Sequence, residues 1–423
     1  MTSASFHRRI PVLLSAAAAI VCYALIWIAF KPVVFSATRS DFSCFYRAGR
    51  MVVAGDGARV YDLAAQREYD QRLGTSFVDG QGREFSLPFV FPPYALALFA
   101  PLSRLPYRRA EFVWYAANVG MLLALPFVLR KSLASSDKAI AAELFAPILF
   151  VPAVLALMQG QTSILLLLLF ALAFAGLDEG KDTLAGCLLA LALLKPQLML
   201  APLVALVIWR RWRALVAMVW AGVALLGLSA TIAGWRATLH YPQALLAFNR
   251  LPGALGGEHQ ESMPNLRGAI HILLRGHWPD ANVSAITVAL SIVLLAMLAI
   301  LLRRVGGFSR NSYAMVIVFA CLLSFHAYLH DTSLLLLPIV LIAQSLLESC
   351  WTAGHSVIAA AIGAMYLVPL LPTSLSTTAL QMFAAMATLA ALLALEMRQA
   401  RSKSIRVKTA QRDHASGAAL CSS

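Results

Sequence analysis

Charge is scarce in this 423-residue chain: 13% of its residues are Asp, Glu, Lys or Arg, and only 20 are acidic. A soluble domain carries about 25% charged residues, so the sequence cannot dress a water-exposed surface of ordinary kind. Cysteine is sparse as well. Cys22, Cys44, Cys187, Cys321, Cys350 and Cys421 are scattered with no pair at metal-ligand spacing, which argues against both a zinc site and a disulfide framework. Neither G-x-x-x-x-G-K-[ST] nor G-x-G-x-x-G occurs, which disfavours ATP coupling or a nucleotide-sugar donor. No internal repeat is visible, and secondary transporters often carry one.

What the chain has instead is apolar sequence: 60% of residues are hydrophobic and the mean hydropathy is +0.75. This is the composition of an all-α, multi-pass integral membrane protein. The net charge of +14 does not imply nucleic acid, because the basic residues fall in short clusters between apolar runs, where they set orientation. Arg8 and Arg9 precede an apolar run without a small-residue cleavage site, which reads as a retained first transmembrane helix.

Apolar spans are predicted at about 11–30, 111–129, 142–158, 162–177, 183–194, 197–209, 214–233, 283–302, 312–329, 332–349, 354–371 and 376–396, about twelve in all. If they alternate, Arg8/Arg9, Arg130/Lys131/Lys138, Lys181, Arg210/Arg211/Arg213, Arg303/Arg304/Arg310 and the tail from Arg398 to Arg412 share one side. That side is the cytoplasm, and both termini lie there. The spans 183–194 and 197–209 are short for a hydrocarbon core of about 30 Å. Read as one helix they would invert every later basic cluster. They are therefore predicted to form a hairpin with Lys195-Pro196-Gln197 at its tip, facing a water-filled cavity. The proline-rich stretch Leu87–Arg109 is expected as a juxtamembrane or re-entrant helix starting near Pro92-Pro93. The single membrane domain, 1–396, then carries external loops at 31–110 and 234–282, the second broken by Pro and Gly. Residues 397–423 form a basic cytoplasmic tail of disordered composition.

Phe42, Phe45, Tyr46, Val52 and Val53 recur at helical spacing within Asp41–Gly57, which predicts a short amphipathic helix along the membrane surface. Asp41 sits at its first turn, either as a cap or as a catalyst. Arg47 and Arg50 follow one and two turns on, placed to solvate the helix, meet lipid headgroups or neutralise a phosphate. On the topology above, Asp41, the Gln159-Gly160-Gln161 turn, Lys195 with Gln197, and the stretch His326–Asp331 all come to one face of the membrane. An ammonium at the hairpin tip needs an anionic partner, from a carboxylate or from a lipid or sugar phosphate. His326 and His330, four apart, would share a face if their helix continued that far, for proton handling or phosphate contact. No third ligand for a metal stands near them.

A series of short motifs then occurs in a specific order. It comprises Asp41, Tyr46, Ala48-Gly49, Val60-Tyr61-Asp62, Phe91-Pro92-Pro93-Tyr94, Pro101-Leu102 and Gly160-Gln161-Thr162. Next come Ala185-Gly186, Leu194-Lys195-Pro196-Gln197, Arg210-Arg211-Trp212-Arg213, Ser324-Phe325-His326 and His330-Asp331. The order resembles glycosyltransferase family 87, integral-membrane enzymes of the GT-C class, over roughly residues 35–345. The resemblance implies a GT-C-type helical bundle in a bacterial-type plasma membrane. It implies transfer of a hexose such as mannose from a polyprenyl-phosphate sugar to a lipid or glycan acceptor on the periplasmic face. Inversion of configuration and the lack of any cofactor beyond the lipid-linked donor follow from it. Asp41 matches the catalytic base. Lys195, His326, His330, Arg47, Gln161 and Gln197 are the expected substrate- and phosphate-binding residues, with Tyr46, Tyr61 and Asp331 supporting them. Phe325 stands where many relatives carry proline. A transporter or flippase of lipid-linked sugars is the competing class.

Overall fold

The computed structural model describes residues 3–30, 40–78, 82, 84–134, 136–248, 259–274, 277–347 and 352–420. The stretches 31–39 and 249–258, both within the predicted external loops, lie outside the described residues. The described chain is almost wholly helical. In order, the helices are α1 (Ser3–Phe30), α2 (Phe42–Val53), α3 (Leu63–Leu73), α4 (Leu96–Ser103), α5 (Tyr107–Leu133), α6 (Asp137–Leu149), α7 (Val151–Met158), α8 (Ser163–Asp178) and α9 (Asp182–Leu191). They continue as α10 (Leu200–Ile208), α11 (Trp212–Phe248), α12 (Leu266–Leu274), α13 (Asp280–Val305), α14 (Arg310–Leu323), α15 (Leu336–Leu347), α16 (Ala353–Leu367) and α17 (Leu375–Leu420). A two-strand ribbon pairs β1 (Phe77–Val78) with β2 (Glu84–Phe85), antiparallel.

Each of the twelve apolar stretches contains helix, but length separates them. Among the described residues, six helices are long and apolar enough to cross a membrane: Pro11–Ala29, Tyr107–Leu133, Trp212–Phe248, Ala281–Val305, Ala353–Leu370 and Leu375–Met397. A seventh is obtained if α6 and α7, bent by 64° at Phe150, count as one broken span. The rest of the predicted twelve are shorter apolar helices such as α8, α9 and α14. Helices of this length are satisfied at membrane depth when protein, rather than lipid, surrounds them. Consistent with that, α14 is buried along its whole length from Ser312 to Leu323. Large apolar residues face outward on α1, α11 and α13 instead, among them Leu14, Ile20, Val219, Trp220, Ile292 and Val293. An apolar exterior of this extent suits a hydrocarbon environment.

In lipid the hydrophobic effect does not drive helix against helix, so close contacts of small residues and internal polar bonds matter more. Two glycines mark such contacts. A Cβ on Gly49 of α2 would lie 2.6 Å from the Phe99 carbonyl oxygen of α4. One on Gly186 of α9 would lie 2.1 Å from the Ala214 oxygen at the start of α11.

The hairpin expected around Lys195 is confirmed by an ion pair at its open end. Arg211 donates to the Asp182 carboxylate at 2.9 Å, so the chain that leaves at Asp182 returns beside it. At the tip the helix breaks into two single 3-10 turns, Ala192–Leu194 and Pro196–Leu198, with Lys195 between them. The Leu87–Arg109 stretch starts helix at Pro93, as its prolines predict, and α4 has only 8 residues, far too few to span. One expectation changes. The amphipathic α2 does not lie on the surface: nine of its residues, from Phe42 to Met51, are buried between α4 and its neighbours. Its apolar stripe meets protein aromatics rather than lipid, with Phe45 stacked on Phe99 at 4.5 Å and set edge-on to Phe91 at 4.8 Å. The last helix, α17, is continuous from Leu375 to Leu420, through the basic tail. That tail contains no proline to stop it.

Candidate active site

Four interruptions of helix meet around one cavity of about 1090 Å³. They are the start of α2 with Asp41, the α7–α8 turn with Gln161, the α9–α10 break with Lys195 and Gln197, and the non-helical link after α14 with His326 and His330.

The α7–α8 turn fixes Asp41. Gly160 adopts φ +64°, and its missing Cβ leaves room for Phe42, whose Cβ would otherwise be 2.7 Å away. The Phe42 amide then donates to the Gln159 carbonyl at 3.1 Å, while Trp114 Nε1 donates to the Gly160 carbonyl at 2.8 Å. Asp41 makes no side-chain capping bond to α2. Ser40 is the residue whose Oγ accepts from the helix, from the Phe42 amide at 3.3 Å. The Asp41 carboxylate accepts from Gln161 Nε2 at 2.6 Å and lines the cavity. Burial pushes its pKa up to about 6, partly countered by the Gln161 bond and by the charge of Lys195. The Asp41 side chain thus does not cap α2 and faces the cavity instead.

Lys195 finds its anionic partner within the protein. Its ammonium is paired with Asp331 and lies 3.4 Å from Ser163 Oγ. Asp331 also accepts from Ser163 Oγ at 2.6 Å and from the Tyr328 amide at 3.1 Å. An ammonium has three donors, and these contacts use two. Lys195 remains on the cavity wall, with its Nζ 5.8 Å from the centre of the Phe91 ring.

The histidines do not share a helix face. Helix α14 stops at Leu323, residues 324–328 are non-helical, and His330 lies in a 3-10 turn from Leu329 to Leu335. Both histidines still line the cavity, with Tyr328 between them: its ring is 4.9 Å from that of His326 and 6.0 Å from that of His330. Gln197 Nε2 donates to the His326 carbonyl at 3.2 Å, and Gln197 also lines the cavity.

Arg47 is not at the cavity. Its guanidinium is 1% exposed, paired with Asp70 of α3, and donates to Gln66 Oε1 at 2.7 Å and to the Leu87 carbonyl at 2.5 Å. A rigid planar fork suits such a three-way tie, and it leaves no route to a substrate phosphate. Tyr46 and Tyr61 are ties of the same kind: their hydroxyls donate to the carbonyls of Leu105 at 2.9 Å and Phe91 at 2.6 Å. Sequence reasoning missed Ser163, although it directly follows the Gln161-Thr162 turn. It also missed Asp70, whose only signal was an unassigned acid near a basic helix. Among the described residues no group of three or more His, Cys, Asp or Glu is placed to hold a metal ion.

These features place an apolar bundle, a partly desolvated carboxylate and a cation at a single cavity. The sequence profile of glycosyltransferase family 87 matches residues 89–325, more than half of the chain, and the chain belongs to that family. Over 236 residues it is 30% identical to a polyprenol-phosphate-mannose-dependent alpha-(1-2)-phosphatidylinositol pentamannoside mannosyltransferase of Mycolicibacterium smegmatis. That match covers 54% of this chain and 53% of the relative, so the chain spans about half the length of the curated protein it matches. No solved structure matches the chain. The family match takes in Gln161, Lys195 and Gln197 but begins after Asp41 and ends one residue before His326.

Proposed function

We propose that the protein transfers mannose from a polyprenyl-phosphate donor to a glycolipid acceptor at the extracytoplasmic face, with inversion and with Asp41 as general base. The observation that carries the reading is the Asp41–Gln161 pair at the cavity wall. It is a carboxylate with a pKa pushed up to about 6, held by an amide and sharing its cavity with Lys195. A base with a pKa near the working pH takes up an acceptor hydroxyl proton most effectively, an effect worth about 10²–10⁴ in rate.

The remaining residues fit the other half of the reaction. Departure of the sugar leaves a polyprenyl phosphate carrying additional negative charge, and the third donor of Lys195 is available to it. His326 and His330, on the same cavity, supply ring N–H donors to that phosphate or to the sugar. No metal or nucleotide enters this scheme. The cavity wall is mostly apolar, with Phe45, Phe91, Leu155, Leu194 and Phe248 among its members, as an amphipathic donor requires. Family membership, rather than cavity geometry, favours transfer over transport of a lipid-linked sugar.

The test is transfer from radiolabelled polyprenyl-phosphate-mannose into a lipid extract by purified protein and by Asp41→Asn. Transfer by the wild type, with a loss of about 10²–10⁴-fold in the variant at unchanged donor binding, supports the assignment. Full activity of Asp41→Asn would remove Asp41 from the mechanism.

A further inference from the structure

The link between α14 and the 3-10 turn at Leu329 is irregular, partly buried backbone, where a carbonyl left unpaired away from water is costly. Three consecutive carbonyls there are each met by a side chain. Asn265 Nδ2 donates to the Ser324 carbonyl at 3.0 Å, and Arg267 donates to the Phe325 carbonyl at 3.1 Å. The His326 carbonyl receives Gln197 Nε2 at 3.2 Å and Ser324 Oγ at 3.0 Å. Two of these donors come from the second predicted external segment, more than fifty residues away in sequence.

That segment is itself built to hold the donors still. Asn265 is fully buried and immediately precedes α12. Its Oδ1 accepts from the Gly268 amide at 2.8 Å, so one side chain caps α12 and grips the link. Gly268 permits the tight entry: a Cβ there would sit 2.0 Å from the Met263 carbonyl oxygen. The Arg267 guanidinium carbon lies 3.9 Å above the Phe325 ring, a cation–π contact that adds orientation to the hydrogen bond. Further along, the His259 amide donates to the Tyr328 hydroxyl at 2.9 Å, so the segment grips the link on both sides of His326.

We infer that Asn265 and Arg267 are positioning residues that fix the His326 backbone, and with it the imidazole, at the wall of the candidate active site. This rests on the transferase reading for its catalytic consequence but not for its structural one. Neither residue lines the cavity, so they act through the link rather than on substrate. Displacing a group in an active site by roughly 1 Å can cost about 10²-fold in rate.

Two substitutions separate positioning from bulk stability. Asn265→Asp retains the oxygen that caps α12 and replaces the amide facing the Ser324 carbonyl with an acceptor. Arg267→Gln removes the guanidinium, and Arg267→Lys restores a donor without the planar stack. In purified full-length protein, carbethoxylation of individual histidines by diethyl pyrocarbonate is followed by peptide mass spectrometry, with mannose transfer and thermal unfolding measured alongside. The expected result for both Asn265→Asp and Arg267→Gln is a changed labelling rate at His326 but not at His240 on α11. It is accompanied by a fall in kcat of up to about 10²-fold that Arg267→Lys partly restores. Unchanged His326 labelling together with unchanged kcat overturns the inference. So does a lowered unfolding temperature with labelling raised equally at His326 and His240, which would make the contacts merely structural. If wild-type protein transfers no mannose, the transferase reading fails while the labelling still decides whether the link is held.

Discussion

Removing the Lys195–Asp331 pair one member at a time, and then whole, measures how a buried charge is held in this site. The two side chains are 6% and 2% exposed. Breaking such a pair by deleting one partner strands the other charge and costs about 3–5 kcal/mol, whereas replacing both with apolar residues of similar volume is about neutral. The survivors differ here. In Lys195→Met, Asp331 keeps Ser163 Oγ at 2.6 Å, the Tyr328 amide at 3.1 Å and the His330 ring nitrogen at 3.5 Å. In Asp331→Leu, Lys195 keeps only Ser163 Oγ at 3.4 Å among these contacts. The first variant should therefore lose about 3 kcal/mol and the second about 5 kcal/mol, with the double variant within about 1 kcal/mol of wild type. Equilibrium unfolding in mixed micelles, followed by tryptophan fluorescence, reads all three. The double variant should be folded yet unable to use the polyprenyl-phosphate donor, which assigns the ammonium a role beyond stability. A loss below about 1 kcal/mol in Asp331→Leu, or a double variant that loses the sum of the singles, would refute the argument.

Because Asp41 must be ionised to accept a proton and burial holds its pKa near 6, transfer should fall about tenfold per pH unit below pH 6 and level off above it, read from kcat/KM profiles. Gln161 lowers that pKa through its hydrogen bond, so Gln161→Leu should move the acid limb to higher pH; an unmoved limb would take Asp41 out of the profile. Gly160→Ala forces an alanine into φ +64° and a Cβ to 2.7 Å from that of Phe42. It should cost at least about 1–2 kcal/mol and depress transfer by displacing Asp41, measured by unfolding and turnover together. Arg47→Met strands Asp70 in a core position and should lower stability by about 3–5 kcal/mol without altering donor KM in the surviving folded fraction.

The helices were legible because each apolar run is bounded by a basic cluster, a proline or a glycine, and the hairpin at Lys195 followed from charge placement alone. The number of crossings was less so: hydropathy registers an apolar run, but α8 and α14 are apolar because protein surrounds them, and α9 is too short to cross alone. Asp41, Gln161, Lys195 and the histidines were singled out because a polar residue is conspicuous in this sequence. Their partners were harder to assign. Arg47 looked like a phosphate ligand because the amphipathic pattern of α2 places it near a polar face; its true partner, Asp70, lies 23 residues on and across a turn. The same periodicity cannot tell lipid from a shell of Phe91, Phe99 and Trp114, so the burial of α2 was invisible locally. Asn265 did carry a signal, as an Asn-Leu junction opening an apolar helix after Pro264 reads as a cap. What it grips could come only from the fold.

The separation of Lys195 from Asp331 has a bearing on how the protein is made. The two are 136 residues apart, so at synthesis rates of about 5–20 residues per second the hairpin tip is complete roughly 7–27 s before its counter-charge exists. During that interval the ammonium has no Asp331 to pair with, and an unpaired charge favours water over an apolar interior. Synthesis of the α14–α15 link supplies Asp331, which then meets both Lys195 and Ser163. A ribosome-bound chain truncated before residue 331 should therefore leave Lys195 more reactive towards amine-directed reagents than the finished protein, in which its side chain is 6% exposed.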